Sequence, residues 1–370
     1  MGETIEYTLS ELFDLKMGKT PSRNNDDYWR EGIYKWISIA DLTKTGKYIS
    51  ETKELLSEKA IEESGISIIP ANTVIMSFKL SIGKTAITSE AMYSNEAIMS
   101  FHDRHITELI PDYIYYLLLA QRWNEGANKA VMGMTQNKAT ISKRKVRVHD
   151  IAQQNQIVEN LDKLQKLISQ RNEQLTQLDT LIKARFVEMF GDPVSNSFNL
   201  PEKTLPELGE FGRGVSKHRP RNDPSLLGGK YPLIQTGEVA SAGLYIDSYC
   251  NTYSELGLQQ SKMWEKGTLC ITIAANIAKT AILKFDACFP DSVVGFKAKD
   301  DANNIFIHYW FTFFQAILES QAPESAQKNI NLKILSELKV IAPKKARQDE
   351  FATFVAQVNK SKFDEFHIHK

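Results

Sequence analysis

Two stretches of this 370-residue sequence are basic and contain no acidic residue. The first runs from Lys138 to Arg147 and the second from Arg213 to Arg221. Lysine and arginine bind phosphate oxygens, whereas Asn, Gln, Arg and Ser side chains can hydrogen-bond to base edges. Such stretches on loops predict contact with a nucleic acid, although a single surface lysine or arginine is more often only solvated.

The candidate DNA-binding residues form groups in both halves of the chain. In the first half they are Lys16, Lys19, Arg23, Asn24 and Asn25, then Lys79, Ser81 and Lys84, then Gln136, Asn137, Lys138, Lys143, Arg144 and Lys145. In the second half they are Arg213, Lys217, His218, Arg219, Arg221, Asn276, Lys279, Lys328 and Asn329. The prediction concerns the groups rather than their single members.

Two Gly-Lys-Thr triplets suggest a nucleotide-binding loop, but neither completes the motif. The spacing G-x-x-x-x-G-K-T requires an earlier glycine, and Phe78 and Phe13 occupy those positions. The glycines of residues 209–214 have the wrong order for a dinucleotide-binding fingerprint, and no Asn-Pro-Pro-aromatic motif of an amino-methyltransferase occurs. The sequence therefore predicts a protein that is not itself an enzyme.

The residues that could bind metal or form disulfides are too scattered to do so. His102 and His105 have no convincing third ligand nearby, so we predict no metal site. Cys250, Cys270 and Cys288 form no C-x-x-C pair and no disulfide framework. This cysteine usage is typical of a reduced, cytoplasmic protein.

The composition is that of a folded protein with more than one domain. Hydrophobic residues make up 42% of the chain, and 45 basic side chains balance 45 acidic ones, so any DNA-binding surface must be local. The N-terminal residues lack the basic and apolar regions of a signal peptide, and the most apolar stretch, Ile114 to Ala120, is too short to span a bilayer. We therefore expect neither secretion nor a membrane span.

The second half of the sequence repeats the first in the same order, at an offset of about 190 to 197 residues. The matched pairs are Thr8–Leu12 with Thr204–Leu208, Gly46–Ile49 with Gly243–Ile246, Ile82–Ile87 with Ile277–Ile282, Asp112–Tyr116 with Ile305–Tyr309, and Gln136–Lys138 with Gln327–Asn329. One structural unit is therefore predicted to occur twice.

Each unit is predicted to be a mixed α/β domain. Short β-branched and aromatic runs bounded by Gly, Asn and Pro predict strands over Tyr34–Ile39, Thr73–Phe78, Lys84–Thr88 and Lys145–Val148. The segment Asp112–Trp123 has the apolar periodicity of a helix.

A heptad pattern follows the first unit and predicts a coiled-coil helix that ends at Phe190-Gly191-Asp192-Pro193. Its apolar positions are Ile157, Leu161, Leu164, Ile168, Leu175, Leu178 and Ile182, with Arg171, Arg185 and Met189 on the same seam. Near the C-terminus, Phe351, Val355 and Val358 match the start of this pattern in a shorter helix. We expect the two helices to pack antiparallel and to leave Leu175, Leu178 and Ile182 exposed for a partner subunit or a second copy.

The ordered pieces resemble the DNA-specificity subunit of type I restriction-modification systems, in which two target-recognition domains alternate with two helical spacers. The resemblance covers nearly the whole chain. It is carried by Tyr34–Leu42, Pro70–Met76 and Gln153–Ile157 in the first half, and by Tyr231–Gly237, Lys266–Leu269 and Arg347–Phe351 in the second.

The resemblance implies an α+β fold with recognition domains at residues 1–150 and 192–345 and spacer helices at 151–191 and 346–370. It further implies a chain without a cofactor of its own that reads a bipartite double-stranded DNA target. Its partners would be two modification subunits that carry S-adenosylmethionine and restriction subunits that use ATP. The alternatives are a coiled-coil adaptor without DNA readout and a recognition fragment of a fused methyltransferase-endonuclease.

Overall fold

The computed structural model describes residues 4–123, 128–130, 133–274, 277–321 and 330–364. These residues form two compact units, Met1–Gln170 and Arg171–Lys370, and the division falls inside the longest helix.

The first unit is built of short strands and helices around one five-stranded sheet. Its elements are β1 Ile5–Thr8, α1 Leu9–Leu12, β2 Phe13–Met17, β3 Tyr34–Ile37, α2 Ile39–Lys44, β4 Tyr48–Ile49, β5 Glu54–Leu56, α3 Glu58–Ser64, β6 Val74–Ser77, β7 Lys79–Leu80, β8 Thr85–Thr88, β9 Tyr93–Ser94, β10 Ile98–Asp103, α4 Pro111–Leu119, β11 Asn128–Ala130, β12 Gly133–Thr135, α5 Lys138–Ser142, β13 Lys145–Val148 and α6 Ile151–Phe190.

The central sheet of this unit has the strand order β2-β10-β6-β8-β4, with only the β4–β8 pair parallel. Both faces are buried: Val74 and Met76 pack into one apolar cluster with α4, while Ile75 between them packs into another. Smaller sheets have the orders β1-β13, β5-β3-β9 and β11-β12-β7.

The second unit has the same plan. Its elements are β14 Glu202–Thr204, α7 Leu205–Leu208, β15 Gly209–Arg213, β16 Leu227–Leu233, α8 Thr236–Ser241, β17 Tyr245–Ile246, β18 Asn251–Tyr253, α9 Glu255–Gln259, β19 Met263–Trp264, β20 Leu269–Thr272, β21 Thr280–Leu283, β22 Ala287–Cys288, β23 Val293–Ala298, α10 Asn304–Gln321, α11 Leu332–Glu337, β24 Lys339–Ile341 and α12 Lys345–Asp364. The order β15-β23-β20-β21-β17 reproduces the central sheet of the first unit strand for strand.

The four predicted strands are present, three of them one or two residues shorter than expected. The predicted helix over Asp112–Trp123 spans Pro111–Leu119 instead. The chain leaves the helix because Trp123 folds back into the core, where its indole N–H donates to the Leu118 carbonyl oxygen at 2.9 Å. Burial of one large ring therefore sets the end of this helix.

Helix α6 is continuous for 40 residues and ends where Gly191 adopts a φ of 75°, as the Phe-Gly-Asp-Pro sequence predicts. Its C-terminal part belongs to the core of the second unit, where the Phe186 ring packs edge-on against Phe351 at 5.3 Å. Farther along α12, Lys362 Nζ contacts the Asp179 carboxylate at 2.5 Å. The two helices are therefore antiparallel within this unit, as predicted.

One expectation about α6 is wrong. Ile182 is fully buried in the second core and Leu178 packs against that core, so neither is left exposed for a partner. The exposed large apolar residues of α6 are Ile151, Leu164, Leu167, Ile168, Leu181 and Val187, and three of these six lie together at Leu164, Leu167 and Ile168. Among the described residues, no helix is long and apolar enough to cross a membrane.

Candidate nucleic-acid interface

A close backbone contact holds the first basic loop of each unit. In the first unit Gly18 N–H donates to the Ile98 carbonyl at 3.1 Å, and a Cβ on Gly18 would lie 2.2 Å from the Ser94 carbonyl oxygen. In the second unit Gly214 N–H donates to the Val293 carbonyl at 2.9 Å, and its Cβ would meet a carbonyl oxygen at the same 2.2 Å. Only glycine fits such an approach, so both loops follow the same path beside the turn that precedes β10 or β23.

An acidic residue in that turn contacts the loop in both units. Glu96 accepts a hydrogen bond from the Thr20 hydroxyl, and Asp291 accepts one from Arg221. Burial would raise the pKa of Glu96, but the Thr20 hydrogen bond, with the charges of Lys79 and Arg23, lowers it below its ordinary value. One residue from each of the first two predicted basic groups therefore acts on the charge of Glu96.

The second group lies on a hairpin that both units share. Lys84 N–H donates to Ser77 Oγ at 3.1 Å, and Lys279 N–H donates to Thr272 Oγ1 at 3.0 Å. Each hairpin turns through a left-handed residue just before the lysine, at Gly83 or at Ala278. The two lysines therefore occupy equivalent positions, as the repeat predicts.

The equivalent of the third group in the second unit differs from the predicted one. Asn137 caps α5 by accepting Thr140 N–H at 2.9 Å, and Asn331 caps α11 by accepting Ile334 N–H at the same distance. The equivalent of Gln136–Lys138 is therefore Ile330–Leu332, and the predicted match with Gln327–Asn329 is wrong by three residues. Of the candidates, Asn276, Lys328 and Asn329 lie outside the described residues.

Three of the amide candidates serve the fold of the first unit. Gln136 is buried, its Nε2 donates to the Trp123 carbonyl at 2.8 Å, and its Oε1 accepts from Thr140 at 2.6 Å. Asn137 is the helix cap described above, and Asn25 likewise caps the short 3₁₀ turn Asp26–Tyr28. Ser81 and Asn24 are exposed on their loops.

Several basic candidates are held by other parts of the protein. Arg23 forms a two-pronged contact with Glu54 at 2.5 and 3.0 Å and lies 3.7 Å over the Trp29 ring. Further candidates with such contacts are Lys16 with Asp14, Lys19 with the Ser64 carbonyl, Arg144 with Gln121 and the Arg122 carbonyl, Lys145 with Glu6, His218 with Asp223, and Arg219 and Arg221 with Asp291.

The remaining basic side chains are available to a ligand. Among the described residues, seven candidates have no hydrogen bond or ion pair from the side chain: Lys79, Lys84, Lys138, Lys143, Arg213, Lys217 and Lys279. Sequence reasoning missed Glu96 and Asp291 because it sought only basic and amide groups. The sequence feature that could have identified them is an acidic residue at the equivalent position of both repeats.

The family model for the "Type I restriction modification DNA specificity domain" matches residues 2–177 and again residues 201–366. The chain belongs to this family. The two matches cover both units, so the resemblance inferred from the sequence is confirmed, as is the prediction of a non-catalytic specificity chain that it carried.

Two curated type I specificity subunits are similar to this chain. The EcoR124I/EcoR124II subunit of Escherichia coli is 26% identical over 182 residues, which are 47% of this chain and 44% of that protein. The MjaIX subunit of Methanocaldococcus jannaschii is 26% identical over 118 residues, 32% of this chain and 27% of that protein. The matched part of this chain thus spans less than half the length of these relatives.

Two solved structures have the same fold. The type I S subunit from M. genitalium superposes with a TM-score of 0.52 at 15% identity, covering 97% of this chain and 90% of that one. A chain from a structure on complex assembly of the type I R-M system gives 0.56 at 14% identity, with the same coverage. The predicted α+β architecture of tandem domains with long helices is confirmed.

Proposed function

We propose that this chain selects the DNA target of a type I restriction-modification complex and that each unit reads one half of a bipartite sequence. The observation that carries the proposal is the duplicated loop set: in both units a glycine-anchored basic loop and a hairpin lysine, Lys84 or Lys279, recur in equivalent places. Two recognition units with the same architecture on one chain are suited to a DNA target with two separate parts.

The lysines that have no partner among the described residues are suited to phosphate contacts. A lysine ammonium is a flexible point charge that binds any backbone phosphate, so it supplies affinity without sequence preference. Sequence selection then falls to the loop residues whose position the fold fixes, because base edges are distinguished by hydrogen-bond geometry.

The chain's partners follow from the same proposal. We place two modification subunits, which bind S-adenosylmethionine, and ATP-driven restriction subunits in the complex. The exposed Leu164, Leu167 and Ile168 on α6 are a surface that a modification subunit would cover, in place of the buried Ile182. Such work requires access to cellular DNA, so we also propose the cytoplasmic location that the composition predicts.

The experiment that tests this function measures binding of the chain, assembled with its modification subunits, to its target duplex and to a duplex with scrambled half-sites. We expect tighter binding to the target by at least about 1,000-fold, the order found for specific protein–DNA complexes. Equal binding to both duplexes would favour the coiled-coil adaptor, which needs no base readout.

A further inference from the structure

We infer that Arg221 reads a guanine in the second half-site and that Asp291 is the residue that positions it. This inference rests on the proposed function and deepens it, since it assigns a base contact to one side chain. The starting observation is that Arg221 contacts Asp291 through Nη2 alone, while its side chain remains 44% exposed.

The remaining donors of Arg221 match one base in particular. Nη2 carries two N–H groups, so one contact with Asp291 leaves a complete two-donor edge of the guanidinium free. No other hydrogen bond of this side chain occurs within the described residues. Guanine presents two acceptors, O6 and N7, side by side in the major groove, and a two-donor arginine edge fits them.

The neighbouring Arg219 has a different role. Its Nη1 donates to the carbonyl oxygens of Ser216 and His218 at 2.6 and 2.8 Å, and its Nη2 lies 3.5 Å from the other oxygen of Asp291. The hydrogen bonds of this arginine therefore stabilise its own loop. It also offsets the charge of Asp291, so the carboxylate can lie inside a basic loop.

The loop that presents Arg221 is fixed at several points. His218 N–H donates to Gln260 Oε1 at 3.1 Å, and Ser261 Oγ donates to the Val215 carbonyl at 2.7 Å. Beyond Arg221, Asp223 caps the short 3₁₀ turn Pro224–Leu226. A side chain held at its base by the loop and at its head by a carboxylate loses little freedom on binding, which favours a base contact.

The carboxylate itself disfavours the alternative of a phosphate contact. Asp291 is 36% exposed at the guanidinium head, and although Arg219 balances its charge, a phosphate oxygen bound to Arg221 would lie close to the carboxylate oxygens and be repelled by them. A guanine edge carries acceptors but no net charge, so it can approach the arginine without that repulsion. Lys217 lies four residues earlier on the same loop, and no acidic residue pairs with it in the part of the chain that the structure describes, so it suits the phosphate.

The test compares Arg221→Lys, Asp291→Asn and the control Lys217→Gln in the complex assembled with its modification subunits. The readout is the methylation rate on the target and on duplexes with each base pair of the second half-site replaced. We expect Arg221→Lys to keep general DNA affinity but lose roughly 10- to 100-fold discrimination at one G·C pair. Asp291→Asn should lose part of the discrimination at the same pair, and Lys217→Gln should slow all duplexes alike.

The outcomes separate the inference from the proposed function. If the wild-type complex selects a bipartite target but Arg221→Lys and Asp291→Asn leave discrimination at every pair unchanged, the inference is overturned and the function stands. If the wild-type complex selects no target, the proposed function itself is overturned. Thermal unfolding of each variant checks its fold, and Arg221→Lys keeps the positive charge on a side chain that is one atom shorter.

Discussion

Gln154 and Gln348 make the same three hydrogen bonds in the two units of the chain. Each side chain is buried, accepts a backbone N–H from the segment before the main helix, α4 or α10, and donates to two backbone carbonyls. The partners are Ile110 N at 3.2 Å, Glu108 O at 2.8 Å and His149 O at 2.9 Å for Gln154, and Asn303 N at 3.0 Å, Asp301 O at 3.1 Å and Pro343 O at 2.8 Å for Gln348.

These glutamines attach the start of a helix to the rest of each unit, since Gln154 lies in the first turn of α6 and Gln348 in the first turn of α12. Replacing Gln154 with Leu leaves one N–H and two carbonyl groups unpaired. We expect a loss of about 1–3 kcal/mol in the free energy of unfolding, measured by urea denaturation. The exposed neighbour Gln156→Leu should stay within about 0.5 kcal/mol, and an equal loss in both variants would contradict this role.

Lys47 fastens the same helix through charge. Its Nζ lies 2.5 Å from Asp112 Oδ1 and 2.6 Å from Asp162 Oδ1, with only 16% of the side chain exposed. Lys47→Met should destabilise the first unit by about 2 kcal/mol, because it leaves two partly buried carboxylates without their cation. The exposed i,i+4 pair of Lys163 with Glu159 provides the control, and Lys163→Met should have little effect.

The Lys47 effect should depend on pH. Burial raises the pKa of Asp112, but hydrogen bonds from Lys47 and Tyr48 outweigh it and lower that pKa below 3.8. A lowered folded-state pKa stabilises the fold above the unfolded value and loses that contribution as the pH falls through the folded value. The stability difference between wild type and Lys47→Met should be full at neutral pH and shrink below pH 3.8, and a difference that grew on acidification would contradict it.

The hairpin lysines should bind phosphates of the DNA backbone. Removal of one phosphate-binding cation flattens the slope of log affinity against log salt by about 0.9, so Lys84→Ala with Lys279→Ala should reduce the slope by about 2. Salt titration of DNA binding by the assembled complex measures this. A double variant with the wild-type slope would place the DNA elsewhere, and Lys163→Ala again serves as the control.

Gly214 should tolerate no side chain. Gly214→Ala places a Cβ against the Phe289 carbonyl and must move the basic loop, so we expect about 1–3 kcal/mol of destabilisation and weaker binding to the second half-site. Gly243→Ala is the matched control, because nothing lies within 4 Å of its Cβ position. Thermal unfolding and half-site binding of the two variants should therefore differ, and similar behaviour would argue against the fixed loop.

Local patterns sufficed to predict much of this fold. The order of the repeat, the strands and the Gly191 helix end follow from residues adjacent in sequence. The match of Gln327–Asn329 with Gln136–Lys138 failed because it relied on residue types alone, whereas the helix caps Asn137 and Asn331 identify the equivalent positions.

The candidate site was less predictable because its partners come from distant segments. Nothing near Arg221 in sequence indicates Asp291, which lies 70 residues away. Likewise the heptad pattern predicts that Ile182 is buried against something, but only the folded second unit shows that its own core buries it. Side chains that find no partner in the described parts of the chain, such as Lys84, are identified only once the other contacts are known.

The central claim is that each unit reads its own half of the target. Its most direct test is methylome sequencing of cells that carry the modification subunits with the wild-type chain, with no such chain, or with residues 8–150 exchanged for the matching unit of a relative. We predict a bipartite methylated motif that disappears without the chain and changes in one half only after the exchange. A motif that persists without the chain, or that changes in both halves after the exchange, would contradict the account.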